Sequence, residues 1–186
     1  MAAVPNLLSA LRLVLAPVLL LLAFKGEASW FLLCLASSLS SDVIDGWVAR
    51  HYRLTSELGA KLDSWGDLAT YSSVAVSAWW LWPEIILQQA WWVVAALVAY
   101  VLPTLLGFLK FSRLTSYHTW GAKLSSILMG GAFLLLFVWN IAWLFHVATI
   151  VLIIAEIEEI AITLVLREWK TNVATIVHAW RSRASS

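Results

Sequence analysis

Long apolar stretches separated by short polar breaks organise this chain. A helix that crosses a bilayer needs about 20 mostly apolar residues, and six such stretches are present, at roughly 6–24, 30–50, 57–82, 87–109, 117–139 and 143–166, followed by a polar tail of about twenty residues. The pattern predicts an all-α fold with six transmembrane helices joined by short connections. The first stretch is apolar from Leu7 on, but Arg12 interrupts it and no A-x-A-like site follows, so it reads as a retained helix and not a cleaved signal.

Composition points to the same compartment. Of the 186 residues 62% are hydrophobic and 12% charged, whereas soluble domains carry roughly 25% charge. A net charge of +1 excludes a broad basic nucleic-acid surface. With no polar linker or low-complexity tract, a single domain over 1–186 is expected. The single cysteine, Cys34, excludes an intrachain disulfide and reads as a small buried apolar residue.

Six spans put the start of the chain, the 50–56 and 110–116 connections and the tail on one side of the membrane. That side collects Arg12, Arg50, Arg53, Lys110, Arg113, Arg167, Lys170, Arg181 and Arg183, against Lys25 on the other. By the positive-inside rule both termini face the cytoplasm. Trp30, Trp79, Trp80, Trp82, Trp91, Trp92, Trp139 and Trp143 then fall at the outer ends of the spans, as an aromatic belt at headgroup level.

Against this apolar background, Asp42, Asp45, Asp63 and Asp67 stand out. The first two are three residues apart and the last two four apart, so each pair projects from one face of a helix. If the second and third spans are antiparallel about the Arg50–Ser56 turn, all four carboxylates converge near the cytoplasmic surface. A carboxylate at that depth costs a few kcal/mol unless neutralised, and three nearby bases, Arg50, Arg53 and Lys61, do not account for the spacing. Divalent cations remove the mutual repulsion, and hard oxygen ligands select Mg²⁺ or Mn²⁺. Two such ions in a carboxylate site clamp a phosphoryl group and stabilise both the attacking and the leaving oxygen.

The segment reads D-x-x-D-G-x-x-A-R, eight residues, G-x-x-x-D-x-x-x-D over residues 42–67. It resembles, at every fixed position, the signature of the CDP-alcohol phosphotransferase (CDP-alcohol phosphatidyltransferase) family of integral membrane enzymes that make phospholipids. The resemblance implies a CDP-diacylglycerol donor, a small alcohol acceptor, CMP as leaving group, two Mg²⁺ or Mn²⁺ ions, a homodimer, and a multi-pass position in a bacterial inner (plasma) membrane with the active site facing the cytoplasm. Carried onto this chain, it makes Asp42, Asp45 and Asp63 metal ligands and Asp67 a ligand that is also the catalytic base. It likewise implies donor binding by Asn6, Gly46, Ala49, Arg50, Ser56 and Gly59, the small residues admitting the nucleotide close to the helix backbone.

The opening Pro5-Asn6-Leu-Leu-Ser9-Ala-Leu-Arg12 resembles the P-N-x-x-[ST]-x-x-R start of the branch that makes phosphatidylglycerophosphate. There Asn6 would meet the nucleotide and Arg12 a phosphate; the competing reading of Arg12 is an interfacial arginine that snorkels to the surface. The connection from Lys110 to Lys123 concentrates cationic and hydroxyl side chains, and Arg113, His118 and Lys123 are the candidates for binding a phosphorylated acceptor.

Glycerol 3-phosphate is therefore the first-ranked acceptor, with serine, inositol phosphate or another polyol behind it. Ser64, Leu68 and Ser125 depart from the glycerol phosphate branch, which has proline, lysine and lysine there. Glu156, Glu158 and Glu159 form a further acidic cluster in the last span, expected to pair with Lys123 or His146 or to contact acceptor hydroxyls. A divalent-cation transporter would also put acids into membrane helices, but it calls for broken helices or repeat symmetry near the midplane, and neither is present.

Overall fold

The computed structural model describes the backbone of residues 3–51, 57–112, 117, 119–166, 168–169, 173 and 175–184, and side chains throughout these except at 3–9, 42–51, 57–64 and 181–184. The described residues are all-helical: α1 (Ala3–Phe24), α2 (Ala28–His51), α3 (Glu57–Leu81), α4 (Pro83–Gln88), α5 (Ala90–Phe111), α6 (Trp120–Trp139), α7 (Ala142–Val165) and α8 (Ile176–Ala184). Each of the six apolar stretches is a helix, and α4 and α8 are additions to the pattern. The helices fall into two compact units, Met1–Ile86 and Leu87–Ser186.

In the first unit α1 packs against both α2 and α3. Its buried face is Arg12, Ala16, Leu19 and Ala23, spaced four, three and four, which keeps them on one side of a helix. A tight turn at Gly26, whose φ of +73° lies in the left-handed region that glycine enters without steric cost, reverses the chain into α2. Arg12 meets Asp67 and Phe24 meets Trp80, with ring centroids 6.1 Å apart, so α1 and α3 run parallel. Phe31, near the start of α2, stacks edge-on at 5.8 Å against Trp82 after the end of α3, so α2 and α3 run antiparallel. Ser38, Thr70, Ser73, Ser77 and Ala78 supply small buried side chains to the α2 and α3 faces, which allows close helix approach.

In the second unit α7 is central and packs against α5, α6 and α8. Phe145, Ala148, Leu152 and Ala155 form its buried stripe at spacings of three, four and three residues, and Ile162 continues it two turns further on. A Cβ at Gly121 would lie 3.1 Å from the Ala155 Cβ, so the absence of a side chain here eases the close approach of α6 and α7. Thr119 caps α6 by accepting from the Ala122 N–H at 3.0 Å. Asn140 ends α6 at a left-handed φ of 55°, which asparagine tolerates better than most residues. Lys110 donates to the Thr163 and Leu164 carbonyls at 2.8 and 3.1 Å, neutralising the negative end of α7.

α5 and α6 are long and apolar enough to cross a membrane, and only 11% and 22% of their apolar windows are buried. A core helix of a soluble protein would be mostly buried. Large apolar side chains are also exposed on the other long helices, Val14 and Leu21 on α1 and Ile150, Ile154 and Leu164 on α7 among them. The predicted tryptophans sit at helix ends: Trp30, Trp79, Trp80, Trp91, Trp139 and Trp143 are exposed, while Trp82 packs on Phe31 and Trp92 stacks on His146.

Candidate active site

All eight positions of the aspartate motif lie in α2 and α3. Asp42 and Asp45 fall in the last three turns of α2, and Asp63 and Asp67 in the first three turns of α3. Because the two helices are antiparallel, both pairs lie toward the same end. Gly46, Ala49 and Arg50 continue α2 to its end and Gly59 is in the first turn of α3, while Asn6 is in the first turn of α1. The side chains of Asn6, Asp42, Asp45, Arg50 and Asp63 lie outside the described atoms, and Ser56, Arg113 and His118 lie outside the described residues.

Asp67 is where the geometry of the site is visible. Arg12 Nη1 donates to Asp67 Oδ1 at 2.5 Å, a charge-assisted contact. The Arg12 side chain is 2% exposed and that of Asp67 34%. Arg12 is therefore buried against the motif and does not snorkel, which overturns the interfacial reading; a guanidinium this deep in an apolar helix pair requires a charge partner. The sequence alone suggests a phosphate as the partner of Arg12. The signal that would have pointed to Asp67 is the need of a basic residue one-third of the way along an apolar span for a carboxylate.

Around this pair, Arg12, Ser38, Leu39, Asp67, Thr70 and Tyr71 line a small cavity fed by all three helices of the unit. The Ser38 and Thr70 hydroxyls are buried and have no hydrogen-bond partner among the described residues. Asp42 follows Ser38 by one turn of α2, and Asp63 precedes Asp67 by one turn of α3. The cavity thus lies one helical turn along the backbone from Asp42 and from Asp63, with Asp67 in its lining. Among the described side chains no cluster of three His, Cys, Asp or Glu is formed; Asp67 is the one motif aspartate with a described side chain. As a donor set, four carboxylates at helical spacing on antiparallel helices fit a hard divalent cation.

The second unit holds Lys123 in the first turn of α6, its Nζ 5.2 Å from the Trp120 ring centroid. The acidic cluster is engaged structurally. Glu158 Oε1 accepts from the Ile176 N–H at 3.2 Å, tying α7 to the start of α8. Tyr117 and Thr163 bond hydroxyl to hydroxyl at 3.0 Å beside them. His146 is not a partner of the glutamates: it bonds Gln89 Oε1 at 2.7 Å and stacks on Trp92 at 4.4 Å, some 15 Å along α7 from Glu156 by helical rise.

Comparison with known proteins bears on the same motif. Residues 2–155 match the CDP-alcohol phosphatidyltransferase family. The chain is similar to two curated Mycobacterium tuberculosis proteins, from strains CDC 1551 / Oshkosh and ATCC 25618 / H37Rv, each named probable phosphatidylglycerophosphate synthase. Identity to each is 29% over 161 residues, covering 82% of this chain and 73% of the relative. No solved structure matches the chain significantly.

Proposed function

The chain belongs to the CDP-alcohol phosphatidyltransferase family, and from this we propose that it transfers a phosphatidyl group from CDP-diacylglycerol to glycerol 3-phosphate and releases CMP. The observation that carries the reading is the eight-position motif lying whole on two antiparallel helices, with Asp67 held by a buried arginine. The acceptor is supported by the name of the Mycobacterium tuberculosis relatives, probable phosphatidylglycerophosphate synthase. Asp42, Asp45, Asp63 and Asp67 would hold two Mg²⁺ or Mn²⁺ ions, which supply charge neutralisation at the pyrophosphate and at the leaving CMP.

Asp67 acts as the base in this scheme. The acceptor hydroxyl oxygen forms a bond to the phosphatidyl phosphorus, the bond from that phosphorus to the CMP oxygen breaks with its electron pair, and the hydroxyl proton passes to Asp67. Arg12 fixes the Asp67 carboxylate, removing rotamer freedom that would otherwise be lost at the reacting geometry. Gly46, Ala49 and Gly59 leave room beside the helix backbones for the cytidine, with Asn6, Arg50 and Ser56 as its polar contacts. Arg113, His118 and Lys123 bind the acceptor phosphate.

The six long helices α1, α2, α3, α5, α6 and α7 have 20 to 25 residues, or about 30–38 Å at 1.5 Å per residue, matching a hydrocarbon core of about 30 Å. We take all six as spans of a single membrane domain, with both termini and the motif on the cytoplasmic side of a bacterial inner membrane and the enzyme a homodimer. The test is a substrate panel: purified protein, radiolabelled CDP-diacylglycerol, Mg²⁺ or Mn²⁺, and glycerol 3-phosphate, serine, inositol phosphate or glycerol supplied singly. Transfer to glycerol 3-phosphate alone is expected. Transfer to serine or inositol phosphate in its place overturns the acceptor, and no CMP release with any alcohol overturns the chemistry.

A further inference from the structure

The short helix α8 lies beyond the residues that match the family. One side of it is fastened to α7. Glu158 takes the Ile176 N–H, and Ala179 is fully buried in a cluster with Tyr117, Ile162, Leu166 and Val173. The face about 100° round the helix from it is different. Val177 and Trp180, three residues apart and so on one helix face, are 55% and 64% exposed, and the same helix carries Arg181 and Arg183.

The position of α8 says what covers that face. Lys110 bonds the last carbonyls of α7, marking the level at which the apolar helices α5 and α7 give way to polar groups. Leu109 and Leu164, 69% and 67% exposed, carry an apolar surface up to that level. α8 is docked there, against Ile162 and Leu166. A short helix with tryptophan and valine on one face and arginines in its last turn is built to lie in the plane of a membrane interface and to complement anionic headgroups.

We propose that α8 is an interfacial helix that binds the anionic phospholipid surface, with Val177 and Trp180 at the acyl boundary and Arg181 and Arg183 drawing lipid phosphates to the cytoplasmic end of α7. This rests on the membrane topology proposed above and is independent of which alcohol is the acceptor. Its consequence is that the lipid environment, and an anionic lipid product in particular, orders the tail.

The test uses the full chain in lipid nanodiscs made of phosphatidylcholine, with or without phosphatidylglycerol. A nitroxide is attached at Val177→Cys in a Cys34→Ser background, and collision rates with oxygen and with a water-soluble nickel complex give its depth. The label is expected roughly 5–10 Å below the phosphates in anionic discs. It should move into the aqueous phase when Trp180→Ser, Arg181→Gln and Arg183→Gln are combined. A label equally open to nickel in both lipid compositions overturns the proposal. So does a label screened from both reagents only at high protein concentration, which would show a second copy on the face.

A parallel label at Val98→Cys on α5 reports the membrane reading itself: if that site is open to nickel, the topology fails and this proposal with it. CMP release, measured on the same samples, separates failure of the transferase reading from either. Should the labelled variants not fold, hydrogen exchange on the unlabelled chain decides. Amides of 177–184 should slow about tenfold when phosphatidylglycerol is added, and unchanged exchange overturns the proposal.

Discussion

Removing one partner of the Arg12–Asp67 pair should harm both stability and activity, whereas removing both should restore much of the stability and none of the activity. Arg12 is 2% exposed, so Asp67→Asn takes from a buried guanidinium a carboxylate held at 2.5 Å. Breaking a fully buried pair costs about 3–5 kcal/mol, but Asp67 is one-third exposed and Arg12 has further contacts, so the cost should be about 1–3 kcal/mol. Arg12→Met keeps the apolar stem and costs less, because the carboxylate it abandons reaches solvent. The double variant should then be more stable than the sum of the singles by about 1–3 kcal/mol, the coupling energy of the pair. The assay is chemical unfolding in detergent with chelator present, which keeps divalent binding out of the comparison, alongside CMP release with metal restored. Additive single effects would refute the account of Arg12 as the partner that fixes Asp67.

Three further outcomes follow from the same geometry. Thr119→Val removes the α6 cap and should destabilise the second unit by about 0.5–2 kcal/mol, with Thr119→Ser close to wild type in the same unfolding assay. Gly46→Leu should abolish binding of a CDP-lipid in a filter or calorimetric assay while the protein stays inserted and folded; unchanged affinity would return Gly46 to helix packing. Arg113→Ala and Lys123→Ala should raise the KM for glycerol 3-phosphate by the equivalent of about 1.5–3 kcal/mol and leave that for CDP-diacylglycerol nearly unchanged, a split that steady-state kinetics reads directly.

The hydropathy pattern locates the long helices closely because twenty apolar residues in a row leave little choice of structure. The motif spacing likewise suits helices, since a three-residue and a four-residue separation both keep a pair on one face there, whereas a strand would split Asp42 from Asp45. What lay beyond the pattern depends on contacts distant in sequence. Arg12 and Asp67 are 55 positions apart, and nothing in the periodicity of either helix says that α1 runs parallel to α3. α4 has six residues and opens on Pro83, so it reads as a break between spans. α8 has nine residues and is held by the Glu158 carboxylate and the burial of Ala179, which makes its stability tertiary. For the same reason Glu158 read as an intramembrane acid in search of a cation when its partner is a backbone N–H. His146 was a candidate partner for the glutamates because both lie on one helix, yet its neighbours Gln89 and Trp92 come from the start of α5 and the residue before it.

The central claim is that four aspartates on α2 and α3 carry divalent-dependent phosphatidyl transfer, and the most direct test is CMP release from CDP-diacylglycerol and glycerol 3-phosphate as Mg²⁺ or Mn²⁺ is titrated in and then removed by chelator. Release should appear with the ion, vanish in chelator, and fall by orders of magnitude in Asp42→Asn, Asp45→Asn, Asp63→Asn and Asp67→Asn, with Asp67→Asn alone retaining CDP-lipid binding. Undiminished release in excess chelator, or wild-type turnover in the four variants, would contradict it.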